Sequence, residues 1–175
     1  QAQVMRDHVS LYLDRARRAA RAQGLGAVTE IHPILEALGR TLQRIHRDKG
    51  VTVTVTCDPA LKFRGEKQDF EEMAGNLLDN ACKWSASQVA VKVTLEASTE
   101  AQGRHWIIIQ VDDDGPGLPE DKRADALKRG QRLDETKPGS GLGLSIVKET
   151  AAMYNGTIEL ADAELGGLRV RLTLP

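Results

Sequence analysis

The chain has 175 residues, about the size of one domain, and its 24 Lys and Arg residues against 25 Asp and Glu residues give a formal net charge of -1. This balance argues against a nucleic-acid-binding protein that relies on a basic surface, so no nucleic-acid partner is expected. The hydrophobic fraction is 41% but the aromatic fraction is only 3%, which predicts a single aliphatic core. No apolar run approaches the roughly 20 residues of a bilayer span, which excludes a transmembrane segment within this stretch.

Helical periodicity dominates the first 50 residues. Apolar residues recur at spacings of three and four over residues 4–22, which predicts a helix that ends before Gly24 and Gly26. A second helix is predicted from Pro33 to a stop at Gly50, because proline is favoured in the first turn of a helix. Most of the first 50 residues are therefore expected to be α-helical.

The spacing of apolar residues then changes from that of a helix to that of a strand. Strict alternation of Val and Thr over residues 51–56 predicts a half-buried strand, and residues 61–64 predict a short return strand. A third helix is predicted at about 66–84, followed by strands at 89–97 and 105–112. These elements indicate a sheet with helices packed on it.

The last third of the chain contains a long polar segment. Residues 113–140 carry four glycines, three prolines and many charges, and a loop of that length is typically an active-site lid or disordered. A helix over 142–154 and a closing hairpin of 157–160 with 168–174 are predicted after it. The sum predicts an α/β or α+β arrangement with a mixed sheet.

One edge of the third helix is polar. At 100° per residue, Glu72, Asn76, Asn80 and Lys83 fall within one stripe roughly 80° wide, next to a broad apolar face. Amide oxygens one turn apart suit a hard cation or its waters, and a lysine suits a phosphate. A solvated helix edge with local hydrogen bonds is the alternative.

Three carboxylates and two glycines follow an apolar strand. The residues are Asp112, Asp113, Asp114, Gly115, Pro116 and Gly117. Because glycine removes side-chain bulk, the segment suits a flat ligand that presents hydrogen-bond donors close to the backbone. A tight acidic turn or a metal-binding loop is the alternative, although an EF-hand is excluded because no Glu closes a twelve-residue loop.

A glycine-rich segment at residues 138–145 leads into the last predicted helix. Backbone N–H groups freed by glycine at a helix start can bind an anion such as phosphate. The segment does not match the dinucleotide fingerprint, because Ile146 stands three positions after Gly143, and the chain contains no Gly-Lys pair of a P-loop. By itself this segment is weak evidence for a nucleotide site, and a flexible hinge is the alternative.

Taken in order, the three segments resemble the GHKL superfamily of ATP-binding domains, and specifically the catalytic domain of bacterial sensor histidine kinases. Residues 72–84 resemble the N box of that family, residues 113–117 its first glycine box and residues 139–144 its second. The residues at 129–134 and 166–170 further resemble the PhoQ-like subgroup, whose members sense divalent cations and cationic peptides.

The resemblance covers about residues 26–175 and implies the fold of that family. This is the Bergerat ATP-binding fold, an α/β arrangement described as an α+β two-layer sandwich. A mixed, mostly antiparallel sheet packs on helices, and an ATP lid is implied at about 114–140. Residues 1–25 would then be the linker and the remnant of the second helix of a dimerisation domain.

The resemblance also implies ATP and Mg²⁺ as the ligands. Asn76 and Asn80 would hold Mg²⁺ that bridges the phosphates. Lys83 and Arg132 would contact the phosphates and act as the catalytic residues. Glu72 corresponds to the water-activating glutamate of the ATPase branches and is expected here as polar support.

At the adenine end, the resemblance implies a role for one aromatic and one acidic residue. Trp84 replaces the usual tyrosine beside the adenine, and either ring offers a face for stacking. Asp113 would accept the adenine amino group. The other implied nucleotide-binding residues are Gly115, Gly117, Leu118, Lys137, Gly141, Leu142, Gly143 and Leu144.

The sequence departs from the PhoQ-like pattern inside the lid. Lys137 and Ser140 stand where that pattern tends to have Arg and Gln, and Leu127 stands near the place of a lid phenylalanine. Lysine cannot make the bidentate phosphate contact of arginine. A nucleotide-responsive interaction module without catalysis is therefore kept as an alternative, as is another GHKL ATPase or an anti-sigma-factor kinase.

No phosphoacceptor box is present in the sequence. Neither His8 nor His32 is followed by the acidic residue and later proline that the box requires. The chain is thus expected to bind ATP and to phosphorylate a His in a dimerisation domain carried elsewhere, for relay to a response regulator. The parent is expected to be a homodimeric protein of a bacterial inner membrane, with this part in the cytoplasm.

Overall fold

A computed structural model describes residues 11–12, 26–97, 105–128 and 143–175. The elements in chain order are β1 (Thr29–Glu30), α1 (His32–Ile45), β2 (Thr52–Thr56), β3 (Lys62–Phe63), α2 (Lys67–Trp84), β4 (Gln88–Ala97), β5 (His105–Asp113), α3 (Glu120–Ala126), α4 (Gly143–Met153), β6 (Thr157–Asp162) and β7 (Leu168–Leu174). Apart from Leu11 and Tyr12, which are helical, the predicted helix at 4–22 lies outside the described residues.

Five of the strands form one sheet in the order β2-β4-β5-β7-β6. The β2–β4 pair is parallel and the other three pairs are antiparallel, as a mixed, mostly antiparallel sheet requires. Helices α1, α2 and α4 pack on the sheet and contribute to one shared hydrophobic core. The predicted two-layer arrangement of helices on a sheet is therefore present.

The core side of the sheet follows from alternation along the strands. Successive side chains of a strand point to opposite faces, so every second residue faces the helices. On β7 these are buried aliphatic residues, whereas the residues between them are half-buried. The buried set is Leu168, Val170, Leu172 and Leu174. The core is mainly aliphatic, as the composition predicted, and Phe63, Phe70 and Tyr154 are its aromatic members.

Helix α1 begins close to its predicted start but ends before its predicted stop. Pro33 lies in its first turn, where the missing N–H has no partner to lose, and its apolar stripe of Ile34, Leu35 and Leu42 is buried. The helix ends at Ile45 rather than at the predicted stop. A short 3₁₀ turn follows, and Gly50 closes it with a left-handed φ of 71°.

Two elements differ from the prediction. The return strand at 61–64 forms as β3, but it pairs with β1 in a separate two-stranded sheet, because β2 pairs with β4. Helix α3 interrupts the predicted loop at 113–140. Its only buried residue is Ala126, so it carries no apolar period that could reveal it in the sequence.

Candidate functional site

The polar stripe of α2 lies at the edge of the buried face, as the helical wheel predicts. Glu72, Asn76, Asn80 and Lys83 are all half-buried. The neighbouring face is buried and consists of Phe70, Met73, Ala74, Leu77, Leu78, Ala81 and Cys82. The core thus fixes the rotation of α2, and the predicted metal and phosphate ligands share one accessible edge.

The start of α4 approaches the middle of this edge. A Cβ atom added at Gly143 would lie 4.0 Å from Asn76 Oδ1, with no closer neighbour among the described residues. Leu144 is half-buried against the core. The structure therefore brings Gly143, at the end of the glycine-rich segment, to the first of the two predicted metal ligands, although the two residues are distant in sequence.

The other predicted residues of the lid fall in a part of the chain that the structure does not describe. These residues are Arg132, Lys137, Gly141 and Leu142. Their assignment to the phosphates stays a prediction.

Lys83 has a partner that the sequence analysis missed. Its Nζ atom lies 3.0 Å from Asp79 Oδ2, and the second carboxylate oxygen of Asp79 lies 3.1 Å from His46 Nε2. Lys49 adds a further ammonium here, donating hydrogen bonds to the carbonyl oxygens of Cys82 and Lys83. The i,i+4 spacing of Asp79 and Lys83 is a recognised helical ion-pair signal, and it was available in the sequence.

Asp113 is the most enclosed of the three adjacent carboxylates, with 2% of its surface exposed. Its Oδ1 atom accepts hydrogen bonds from the N–H groups of Gly115 at 2.9 Å and Leu168 at 3.2 Å. Among the described residues, no hydrogen bond reaches Oδ2. Burial raises the pKa of this carboxyl, and the two N–H donors oppose the rise. Two backbone donors thus fix one carboxylate oxygen, whereas the other has no hydrogen bond among the described residues.

The first glycine box packs against the end of α2. A Cβ atom at Gly115 would overlap the carbonyl oxygen of Trp84, so only glycine fits there. Gly117 adopts a left-handed φ of 74°, which favours glycine for a different reason. Leu118 is half-buried and contacts the core. The structure therefore brings the main chain of Trp84 and the carboxylate of Asp113, both predicted at the adenine, to the same glycine.

The other two carboxylates of this turn have different partners. Asp112 forms two hydrogen bonds of 2.9 Å with the guanidinium of Arg169. Asp114 accepts hydrogen bonds from the backbone of residues 86–88 and from the Ser87 hydroxyl. Among the described residues, no three acidic, His or Cys side chains are grouped as a metal would need. The alternative of a metal-binding acidic loop is therefore not supported.

The contacts of Asp114 predict a pH dependence of folding. Burial acts to raise the pKa of Asp114, but hydrogen bonds from Gln88, Ser87 and Ala86 outweigh it and lower the pKa to about 2. A carboxyl with a depressed folded-state pKa stabilises the fold above its unfolded value, about 4, and this contribution is lost as the pH falls toward 2.

Urea unfolding measured between pH 5 and pH 2 should show this loss of stability. In Asp114→Asn the free energy of unfolding should depend less on pH over this range. Asp58→Asn is the control, because Asp58 also accepts a hydrogen bond from a backbone N–H group, but its donor, Ala60, is only two residues away in the sequence. An unchanged pH profile in Asp114→Asn would contradict the role of this carboxylate.

A groove of about 560 Å³ opens elsewhere, between β1, α1 and the first turns of α2. Its lining contains none of the predicted site residues.

Within the described residues, no helix is long and apolar enough to span a membrane.

Comparison with known proteins identifies one family. The profile described as histidine kinase-, DNA gyrase B-, and HSP90-like ATPase matches residues 65–175. The virulence sensor histidine kinase PhoQ of Salmonella typhimurium is 38% identical over 167 residues, which cover 94% of this chain and 32% of that protein. The sensor protein kinase CarS of Pseudomonas aeruginosa is 44% identical over 141 residues, or 81% of this chain and 30% of that protein. The chain thus spans about a third of the length of these relatives.

Solved structures confirm the predicted fold class. The mycobacterial sensor histidine kinase MprB superposes with a TM-score of 0.71 at 26% identity, covering 86% of this chain and 97% of that chain. The ATP binding domain of PrrB from Mycobacterium tuberculosis gives 0.67 at 25% identity, covering 87% and 98%. Both share the α/β two-layer sandwich.

Proposed function

Because the chain belongs to the family of histidine kinase-, DNA gyrase B-, and HSP90-like ATPases, we propose that it is the ATP-binding catalytic domain of a two-component sensor histidine kinase. It transfers the γ-phosphoryl group of Mg-ATP to a nitrogen of a histidine in the dimerisation domain of the same protein. A response regulator then receives the phosphoryl group. The full parent is a homodimer with this domain on the cytoplasmic side of a membrane.

The observation that carries the proposal is the fixed geometry of Asp113. Two backbone donors hold Oδ1, so the carboxylate cannot rotate, and Oδ2 is left to accept a hydrogen bond from the exocyclic amino group of adenine. Gly115 lies beside this carboxylate and beside the main chain of Trp84, because a Cβ atom there would meet Asp113 Oδ1 and the Trp84 carbonyl oxygen. This end of the site therefore selects a purine with an amino donor.

The phosphate end is formed by α2 and the start of α4. The side-chain oxygens of Asn76 and Asn80 fit Mg²⁺, which takes a few protein oxygens together with water and phosphate. When bound, Mg²⁺ neutralises charge on the phosphates. Lys83 supplies a second positive charge once its ammonium leaves Asp79 for the phosphates. Positioning and charge neutralisation are the main demands of phosphoryl transfer.

Transfer in trans tests the proposal directly. The chain should bind Mg-ATP, acquire no acid-labile phosphate by itself, and phosphorylate a separately produced dimerisation domain from the parent protein. Sustained ATP hydrolysis that is lost in Glu72→Ala would instead favour an ATPase of the same family. Nucleotide binding with neither transfer nor hydrolysis would favour an interaction module.

Replacement of one amide tests the metal assignment. Asn80→Asp adds a negative charge beside the phosphates and removes the amide, so we expect Mg-ATP affinity to fall by about tenfold, as for one lost ligand contact. Calorimetry with Mg-ATP and with metal-free ATP measures the effect. Asp58→Asn, an exposed change away from the site, is the control. Unchanged affinity for Mg-ATP would contradict the role of Asn80.

A further inference from the structure

A buried polar pair joins the two helices that form the phosphate end. The Tyr154 hydroxyl donates a short hydrogen bond to Asp69 Oδ2, and it accepts one of 3.3 Å from the backbone N–H of Glu66. Both side chains are buried, with 1% of Asp69 and 6% of Tyr154 exposed. Neither residue belongs to the N box or to a glycine box. Burial and the Asp69 carboxylate raise the pKa of Tyr154, so the phenol keeps its proton.

The pair lies at one end of the interface between α2 and α4, and the candidate phosphate site lies at the other. Asp69 is in the first turn of α2, seven residues before Asn76, or roughly 10 Å along the helix at 1.5 Å per residue. Tyr154 follows the last residue of α4, whereas Gly143 is the first residue described in it. The two helices therefore run in opposite directions, with Asp69 against Tyr154 and Asn76 against Gly143.

The side chains that α4 buries between these two ends are small. The buried residues of α4 are Ser145, Val147, Thr150 and Ala151. Small side chains let two helices approach closely, but they provide few of the ridges that prevent one helix from sliding along another. A directional hydrogen bond at one end can supply the register that such packing specifies weakly.

The ring of Tyr154 is held independently of its hydroxyl. Its centroid lies 4.9 Å from that of Phe63 in an edge-on arrangement, and Phe63 also contacts Phe70 at the start of α2. Removal of the hydroxyl alone would therefore leave the aromatic packing in place. The functions of the ring and of the hydroxyl can thus be separated experimentally.

We infer that Asp69 and Tyr154 are positioning residues for the phosphate end of the site. Their hydrogen bond fixes α4 against α2 and so sets the separation of Gly143 from Asn76, the gap in which the triphosphate and its metal lie. The adenine end does not depend on this pair, because β5 and the turn before β7 hold Asp113. The inference rests on the proposed function.

A nucleotide series in Tyr154→Phe tests the inference. We expect affinity for Mg-ATP to fall about fivefold to tenfold, because a small misplacement of binding groups is costly. Affinity for adenosine, which lacks the phosphates, should stay unchanged. Calorimetry with Mg-ATP and an NMR shift titration with adenosine measure the two values on the full chain. If the Tyr154 hydroxyl contributed only to stability, its removal would affect the affinities for Mg-ATP and adenosine equally.

Two further variants complete the test. Asp69→Asn keeps a side-chain oxygen that can accept from the Tyr154 hydroxyl, so it should retain most of the Mg-ATP affinity. Tyr12→Phe removes a hydroxyl from a tyrosine that is 73% exposed and should change the affinity for neither Mg-ATP nor adenosine. Equal losses for Mg-ATP and adenosine, or no loss for Mg-ATP in Tyr154→Phe, would overturn the inference alone. Failure of the unaltered chain to bind Mg-ATP would overturn the proposed function and the inference with it.

Discussion

Asp113→Asn should reduce the affinity for ATP by about 10- to 100-fold, the range for a lost hydrogen bond to a charged group. The reason is geometric. Two backbone N–H groups point at the Oδ1 position, so the amide of the variant must place its oxygen there. Its NH₂ group then occupies the Oδ2 position and faces the amino group of adenine, donor against donor. Calorimetric titration with Mg-ATP measures the loss.

The same geometry predicts a change in base preference. Inosine triphosphate carries a carbonyl oxygen where ATP carries the amino group, so Asp113→Asn should lose far less affinity for it. Asp112→Asn is the matched control, because Asp112 is the adjacent carboxylate but bonds Arg169 instead. Equal losses for both nucleotides, or none for ATP, would contradict the assignment of Asp113 to the adenine.

Gly167→Ala should destabilise the chain by about 3 kcal/mol, the upper range for an added methyl group in a packed site. A Cβ atom at Gly167 would overlap both the carboxylate and the carbonyl oxygen of Asp113. Relief requires the turn to move away, which also breaks the 3.1 Å hydrogen bond from the Gly167 N–H to the Asp113 carbonyl oxygen. Urea unfolding gives the free energy, and nucleotide affinity should fall in the same variant.

Gly75→Ala provides a glycine control with the opposite expected sign. Gly75 lies within α2, and a Cβ atom there would meet only one described side chain, Leu38, whose Cδ2 lies at an ordinary 3.9 Å. Alanine is favoured over glycine in a helix interior by about 1 kcal/mol, so this variant should be more stable. If Gly167→Ala proved as stable as the unaltered chain, the turn would be more adaptable than its contacts indicate.

The sequence predicted the elements whose periodic patterns are long. The alternation in β2 and the apolar stripes of α1 and α2 each extend over several residues, and the structure contains these elements close to the expected bounds. The stripe that bears Asn76 and Asn80 was also predicted correctly as a helix edge. Their roles as metal ligands, like the division of the chain at residue 26, stay predictions.

The sequence could not predict features that depend on contacts between distant residues. β1 and β3 have two residues each, too few for a period, and their pairing joins positions more than 30 residues apart. The three adjacent carboxylates look alike in the sequence, yet their partners differ. Asp112 bonds a guanidinium, Asp113 bonds two backbone N–H groups, and Asp114 bonds residues 86–88. Only the fold shows that Asp113 alone keeps an oxygen without a partner among the described residues.

Residues 167 and 168 donate hydrogen bonds to Asp113 but are synthesised more than 50 residues after it, which affects when the adenine end of the site can form. β7 is the last strand of the sheet, and it pairs with β5 over Ile107 to Asp112. A nascent chain that has reached residue 160 already contains α2 and β5, but Asp113 still lacks the N–H of Leu168. Competence to bind adenine should therefore arise only after β7 has left the ribosome and inserted between β5 and β6. Cotranslational capture of ATP by a partly made domain is not expected.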